Sequence, residues 1–180
     1  MRVIAGIAGG QPLVAPRDRG TRPITDRVKE TLFAILGARV PDARVLDLYA
    51  GSGAIGIEAL SRGAAMATFV EQARSALVAL RANLDRTGLA GLANVEPVDV
   101  ERFLATPARA RWNLVFLDPP YEVRDIVAPL RAVEPQLAPD AMVVIKHFWR
   151  TEVPEVAGIQ TVRQRRFGET MLSFLQAPDR

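Results

Sequence analysis

DLYAGSGAIGIEAL, residues 47–60, joins an apolar strand to an apolar helix through Gly51, Gly53 and Gly56 in G-x-G-x-x-G spacing. Glycines at a strand-to-helix turn let backbone N–H groups come close to a ligand without side-chain interference. The spacing alone is weak, because an ordinary tight turn has the same composition. Its context decides. Arg44–Leu48 reads as a strand, Ala54–Arg62 as a helix and Ala67–Glu71 as the next strand. Strand, glycine turn, helix and strand make one unit of a parallel sheet.

Outward from that unit the alternation continues. Arg74–Asp85 places Ala76, Leu77, Leu80 and Leu84 on one helical face. Val95–Val98, Leu114–Leu117 and Met142–Ile145 are short apolar strands with helical segments between them. Such strands predict a doubly wound α/β sheet covered on both faces. Ile159–Arg166 and Thr170–Leu175, joined through Phe167-Gly168-Glu169, predict an antiparallel hairpin at the sheet edge. The first residues differ. Residues 2–6 and 11–15 predict a small β-hairpin around Ala8-Gly9-Gly10, followed by an arginine-rich loop. Thr25 or Asp26 then caps a helix with Val28, Leu32, Ile35 and Leu36 on one face. We expect a hairpin-plus-helix extension over residues 1–38 on a domain of residues 39–180, folded as one globular unit.

Composition narrows the function. The chain has 180 residues, 49% hydrophobic and 24% charged, as a single soluble domain would. It has no cysteine, which excludes disulfides, zinc thiolates and thiol nucleophiles. No apolar run approaches the ~18 residues of a membrane helix, and the apolar stretch after Arg2 breaks at Gly9-Gly10 before it resembles a signal peptide. A cytoplasmic monomer without membrane contact is expected. Net charge is +3. Residues 1–30 carry six basic groups against three acidic ones, and the remaining 150 balance at 17 against 17. The surplus sits in the N-terminal arm, where an anionic partner would meet it.

Charge also selects the ligand of the glycine turn. Acidic residues mark four successive strand ends, Asp47, Glu71, Asp99 and Asp118, and ligands of open α/β sheets bind at those ends. Glu71, 20 residues past Gly51, suits a ribose hydroxyl pair of either a nicotinamide dinucleotide or S-adenosylmethionine. A pyrophosphate near Asp47 would meet a like charge, costing about 3 kcal/mol at ~5 Å and an effective dielectric of about 20. No arginine or lysine between Asp47 and Leu60 offsets that cost. A sulfonium and an ammonium would instead be favoured, so the turn fits S-adenosylmethionine. Asp99 suits either the adenine amine or the cap of the helix that follows.

The reaction is written in NLVFLDPPYEV, residues 113–123. Four apolar residues run into Asp118-Pro119-Pro120-Tyr121. The prolines stiffen the loop and lack N–H groups, leaving the Asp118 carboxylate and the Pro119 carbonyl as acceptors with few local partners. Two acceptors suit the two hydrogens of an exocyclic amine, and Tyr121 offers a face for a nucleobase, worth about 1–3 kcal/mol. Holding those hydrogens favours the attacking geometry of a poorly nucleophilic amine. No metal is required. His147, the one histidine, has no partner pattern and reads as structural.

Asp47-Leu-Tyr-Ala-Gly-Ser-Gly and Asp118-Pro-Pro-Tyr resemble the class I S-adenosylmethionine methyltransferases that act on amino nitrogens. Arg22-Pro-Ile-Thr-Asp-Arg-Val-Lys-Glu-Thr-Leu-Phe, the opening hairpin and Arg166-Phe-Gly-Glu-Thr narrow the resemblance to the RsmD family of bacterial small-subunit rRNA guanine-N2 methyltransferases. It covers nearly the whole chain. It implies a Rossmann-like, mostly parallel seven-stranded sheet, and as substrate one guanine of 16S rRNA within an assembled or assembling small ribosomal subunit. By motif it implies cofactor contacts at Asp47, Gly51, Gly53, Glu71, Asp99 and Asp118, with the flanking Tyr49, Ala50, Gln72 and Val100. Catalysis falls to Asp118, Pro119, Pro120 and Tyr121. Arg17, Arg19, Arg22 and Arg27 become RNA contacts, with Arg165 and Arg166 beside them. Ala8-Gly9-Gly10 departs from the bulkier, more basic hairpin tip expected of the family. The alternatives are a DNA adenine-N6 methyltransferase, which would need a recognition domain, a protein glutamine methyltransferase and a catalytically inert RNA-binding relative.

Overall fold

The computed structural model describes residues 1–16, 24–106, 111–119, 126–156 and 158–179. Strands β1 (Arg44–Leu48), β2 (Met66–Val70), β3 (Ala93–Glu96), β4 (Trp112–Leu117) and β5 (Leu137–Phe148) run parallel. β6 (Gln160–Phe167) and β7 (Thr170–Gln176) form the expected hairpin, with β7 antiparallel to β5. The sheet order is β3-β2-β1-β4-β5-β7-β6. Helix α1 (Asp26–Leu36) precedes β1, and α2 (Ala54–Ser61), α3 (Arg74–Thr87), α4 (Val100–Leu104) and α5 (Val127–Val133) connect the successive parallel strands.

Alternate strand residues feed two cores. Val45, Phe69, Leu114 and Phe116 meet Phe33, Leu60 and Leu80 of α1, α2 and α3 on one face. Leu46, Leu48, Val115 and Leu117 meet Val100, Leu130 and Val133 of α4 and α5 on the other. Thr25 caps α1, its Oγ1 accepting from Val28 N at 3.4 Å. The main departure from the expected elements is β5, which extends well beyond Met142–Ile145 at both ends. Its polar residues look unlike a buried strand, but the ladder to β7 continues to Phe148↔Thr170. Backbone pairing, not hydropathy, sets its length.

The N-terminal hairpin survives as pairing around a single bridge, Arg2↔Pro12. Val3 N donates to Gln11 O and Gly10 N to Val3 O, each at 2.9 Å. Leu13 N donates to Met1 O at 3.0 Å on the other side of the bridge, and further donors of the arm turn to α2. Ile4 N and Ala5 N donate to Glu58 Oε2 and Oε1 at 2.7 and 3.0 Å, and Ala8 N donates to Ser61 Oγ at 3.0 Å. Gly6, at φ +87°, presses so close that a Cβ there would lie 1.8 Å from Ser61 O. Lys29 of α1 closes the joint. Its Nζ lies 3.3 Å from Glu58 Oε2 and donates to Arg2 O at 2.5 Å. Burial lowers the Lys29 pKa, and Glu58 opposes that shift. Asn83 of α3 pairs with the backbone of Val14 and donates to Ser52 O at 2.9 Å. The arm is thereby fastened to both helices that flank the glycine turn.

Candidate active site

The carboxyl ends of β1, β2, β4 and β5 share one edge of the sheet. After β1 the chain turns through Tyr49 and Gly51, at φ 60° and 56°. Ala50 N donates to Val70 O at 3.0 Å and Gly53 N to Ala50 O at 2.8 Å. The three glycines do different work. A Cβ at Gly51 would meet nothing within 4 Å, so the turn is open there. A Cβ at Gly53 would fall 2.2 Å from Leu80 Cδ1, and one at Gly56 2.3 Å from Phe69 Cε1. Those two glycines let α2 pack against α3 and β2.

Asp47 is 1% exposed, and its Oδ2 accepts from Gly56 N at 2.9 Å. The carboxylate that the charge argument directed at a cationic ligand is enclosed and fixes the start of α2. Burial pushes its pKa well above the usual carboxylate range; the Gly56 N–H opposes, and the charges of Asp118 and Glu71 add to the rise. Glu71 stands in the open part of the turn, its Oε2 accepting from Gly51 N at 2.9 Å and its Oε1 from Ala73 N at 2.7 Å. Gln72 beside it is exposed. Asp99 takes the capping role, its Oδ1 accepting from Arg102 N at 2.8 Å, and Val100 is buried at the base of α4.

Asp118 N donates to Leu48 O at a long 3.5 Å, which sets the start of the proline loop against the start of the glycine turn. The Asp118 carboxylate is grasped by Lys146 of β5, whose Nζ lies 2.7 and 2.8 Å from its two oxygens. The side chains are 24% and 14% exposed, so the pair is open to a ligand. Burial raises the Asp118 pKa and Lys146 opposes the rise. Sequence reasoning missed Lys146. Its signal was present, as a lysine at the carboxyl end of an apolar strand where the preceding strand ends carry acids.

Pro119 is half-buried beside this pair, whereas Pro120 and Tyr121 lie outside the described residues, as do Arg17, Arg19 and Arg22. Arg27 is exposed on α1, and Arg165 and Arg166 are exposed on β6. His147 is internally satisfied, with Nδ1 at 2.9 Å from Phe148 O and Nε2 at 2.8 Å from Ser173 Oγ. Burial lowers its pKa. Among the described residues, no helix is long and apolar enough to cross a membrane.

The chain is similar to known proteins along nearly its whole length. Residues 1–176 match the family described as Conserved hypothetical protein 95. A Bacillus subtilis protein provisionally named rRNA methyltransferase YlbH is 38% identical over 94% of this chain and 95% of its own. The ribosomal RNA small subunit methyltransferase D of Escherichia coli is 39% identical over 87% of this chain and 79% of its own. The solved structure of yhhF from Escherichia coli, provisionally named a methyltransferase, superposes with a TM-score of 0.89 at 35% identity, covering 100% of this chain and 99% of that one.

Proposed function

The chain belongs to the Conserved hypothetical protein 95 family, the RsmD family, and on that premise we propose that it transfers the methyl group of S-adenosylmethionine to the exocyclic N2 amine of one guanine in 16S rRNA. The observation that carries this reading is the junction of the two loops. Asp118, an acceptor for the amine, leaves β4 bonded to Leu48 O, one residue before the glycine turn.

The residues fit the cofactor. The turn is open above Gly51, Glu71 stands there as a hydroxyl acceptor, and no basic side chain occupies residues 47–60 to favour a phosphate. S-adenosylmethionine supplies, when bound, a methyl group activated by its sulfonium. Asp118 and the Pro119 carbonyl accept the hydrogens of the amine and orient its lone pair toward that methyl carbon. With the cofactor bound, a new N–C bond would form as the S–C bond breaks, S-adenosylhomocysteine would leave, and the amine would give up one proton. Lys146 opposes the rise that burial imposes on the Asp118 pKa and so favours the ionised form that accepts the amine hydrogens. A carboxylate has about four acceptor sites, enough to serve lysine and amine together. The same lysine moderates its basicity, and the departing proton ends in solvent. A stacked guanine must be swung out of its neighbours, at a cost of a few kcal/mol.

The test offers radiolabelled S-adenosylmethionine with unmethylated small subunits, naked 16S rRNA and duplex DNA, then identifies the labelled nucleoside by mass spectrometry. N2-methylguanosine in the particle or the rRNA is the expected product. N6-methyladenine in DNA would replace the substrate while leaving the Asp118 chemistry standing.

A further inference from the structure

We propose that β6 and the end of β5 form a second RNA-contact surface, in which Trp149, Arg150 and Arg166 clamp the strand flanking the target nucleotide and Arg163 and Arg165 carry its phosphates along the sheet edge. The inference rests on RNA being the substrate and adds where that RNA lies.

Four observations support it. First, Trp149 follows β5 directly, three residues after Lys146, so it stands on the same edge of the sheet as Asp118. Its position is held by Trp149 N donating to Glu169 O at 2.9 Å. Second, two guanidinium groups converge on its indole, with the Cζ of Arg166 at 3.8 Å and of Arg150 at 4.7 Å from the ring centroid. The indole face attracts each cation, but the cations repel one another, and among the described residues no carboxylate pairs with either. An anion brought between them would relieve that repulsion. A phosphate does so, and its base can stack on the exposed part of the ring or on a guanidinium plane.

Third, β6 is the outer strand of the sheet, and Arg163, Arg165 and Arg166 are exposed with no ion-pair partner among the described residues. Charge on an edge strand also discourages strand pairing between copies, but that role requires no particular position. The fourth observation is positional. Lys146 pairs with Leu172, and Leu172 with Arg165, so one cross-strand row runs from the catalytic pair to the edge. At about 4.8 Å per strand that row spans only about 10 Å, within reach of the phosphates next to a nucleotide held at Asp118. The broad depression of about 1390 Å³ beside the edge includes Trp149 and Arg150 in its lining together with Asp140, Glu152, Glu155 and Asp179. Those four carboxylates repel a polyanion, so RNA meets the depression only at Trp149 and Arg150 and follows the strand edge from there.

The experiment compares wild type with Arg150→Gln/Arg166→Gln, measuring methylation of small subunits at several salt concentrations alongside S-adenosylmethionine affinity. The expected result is a KM for the particle raised about tenfold or more, with kcat and cofactor affinity unchanged. The slope of log affinity against log salt should become shallower by nearly one for each phosphate that the variant no longer neutralises. Arg166 Nε also donates to Gly168 O, so a melting curve must accompany that variant. Arg163→Gln/Arg165→Gln, which breaks no hydrogen bond within the described residues, should shift KM and slope in the same direction. Trp149 fluorescence should be quenched by 16S rRNA. Unchanged KM and slope in both variants, with wild type active on the particle, would overturn this surface and leave the reaction standing. A change of oligomeric state in place of the salt slope would also overturn it, making β6 a contact between copies. A wild type that binds S-adenosylmethionine but methylates no RNA would instead remove the functional reading beneath it.

Discussion

Two lysine–carboxylate pairs in this protein show how surroundings turn the same chemistry to different ends. Lys29 and Glu58 are each 0% exposed, and their spare valences are used. Arg2 O takes a hydrogen from Lys29, while Ile4 N, Ala5 N and Arg62 Nε donate to Glu58. Lys146 and Asp118 are partly exposed and bonded chiefly to each other. A buried pair is tolerable only when its remaining donors and acceptors are satisfied, and the first pair meets that condition by fastening the N-terminal arm to α2. The second leaves acceptor sites free on the rim where an amine would arrive. The first joins pieces of the fold, and the second is arranged for exchange.

The sharpest way to break this contrast is Asp118→Ala. It should lower kcat by about 10²–10⁴-fold, the usual worth of a positioned acid–base group, with little change in S-adenosylmethionine affinity by calorimetry. Equal losses in both would make Asp118 a mere cofactor ligand. Lys29→Met should do the opposite. It leaves Glu58 buried without its lysine, at a cost of about 3 kcal/mol or more in urea melts, while the folded fraction keeps its kcat. A loss of kcat without a loss of stability would show the arm's joint to be part of the site.

Lys146→Met tests the exchangeable pair more finely. In the proposed reaction Asp118 acts in its ionised form, so the rate should rise with pH through its pKa. Removing the cation removes the influence that lowers that pKa, and the acidic limb should move to higher pH; Lys146→Arg should restore it. A limb that stays put would reduce Lys146 to packing. Asp47→Asn has the smallest expected effect and adds a third, cationless carboxylate to the comparison. The pKa of Asp47 is raised on folding, so the native state holds its proton longer than the unfolded chain. Wild-type stability therefore falls as pH rises from the usual carboxylate range through the raised value. Asn retains an acceptor for Gly56 N and should flatten that decline when urea melts at acid and neutral pH are compared.

Much of the site was readable because its signals are local. A strand, a glycine turn and a helix within residues 44–62 follow from backbone preferences and hydropathy alone, and Asp118-Pro119 announces itself by sequence adjacency. The reading failed where partners lie far apart. Lys146 reaches Asp118 across 28 residues, and the division of labour among Gly51, Gly53 and Gly56 depends on Leu80 and Phe69, which the G-x-G-x-x-G pattern does not mention. The charge argument about Asp47 weighed Coulomb attraction alone and had no access to burial, which encloses the carboxylate under Gly56.

By itself the sequence determined the alternation of strands and helices, the open glycine turn, the paired acceptors at the end of β4 and the basic character of the arm. Each is a short-range property, set by residues within a few positions of one another. The tertiary structure alone decided which lysine is structural and which attends Asp118, and which arginines share an edge with the site. Those choices depend on strand order and register. Lys146 stands beside Asp118 because Leu117 pairs with Ile145, and Arg165 stands in its row because β7 lies between β5 and β6. Register is fixed by the packing of two cores against one sheet, a property of the whole chain that no short stretch contains.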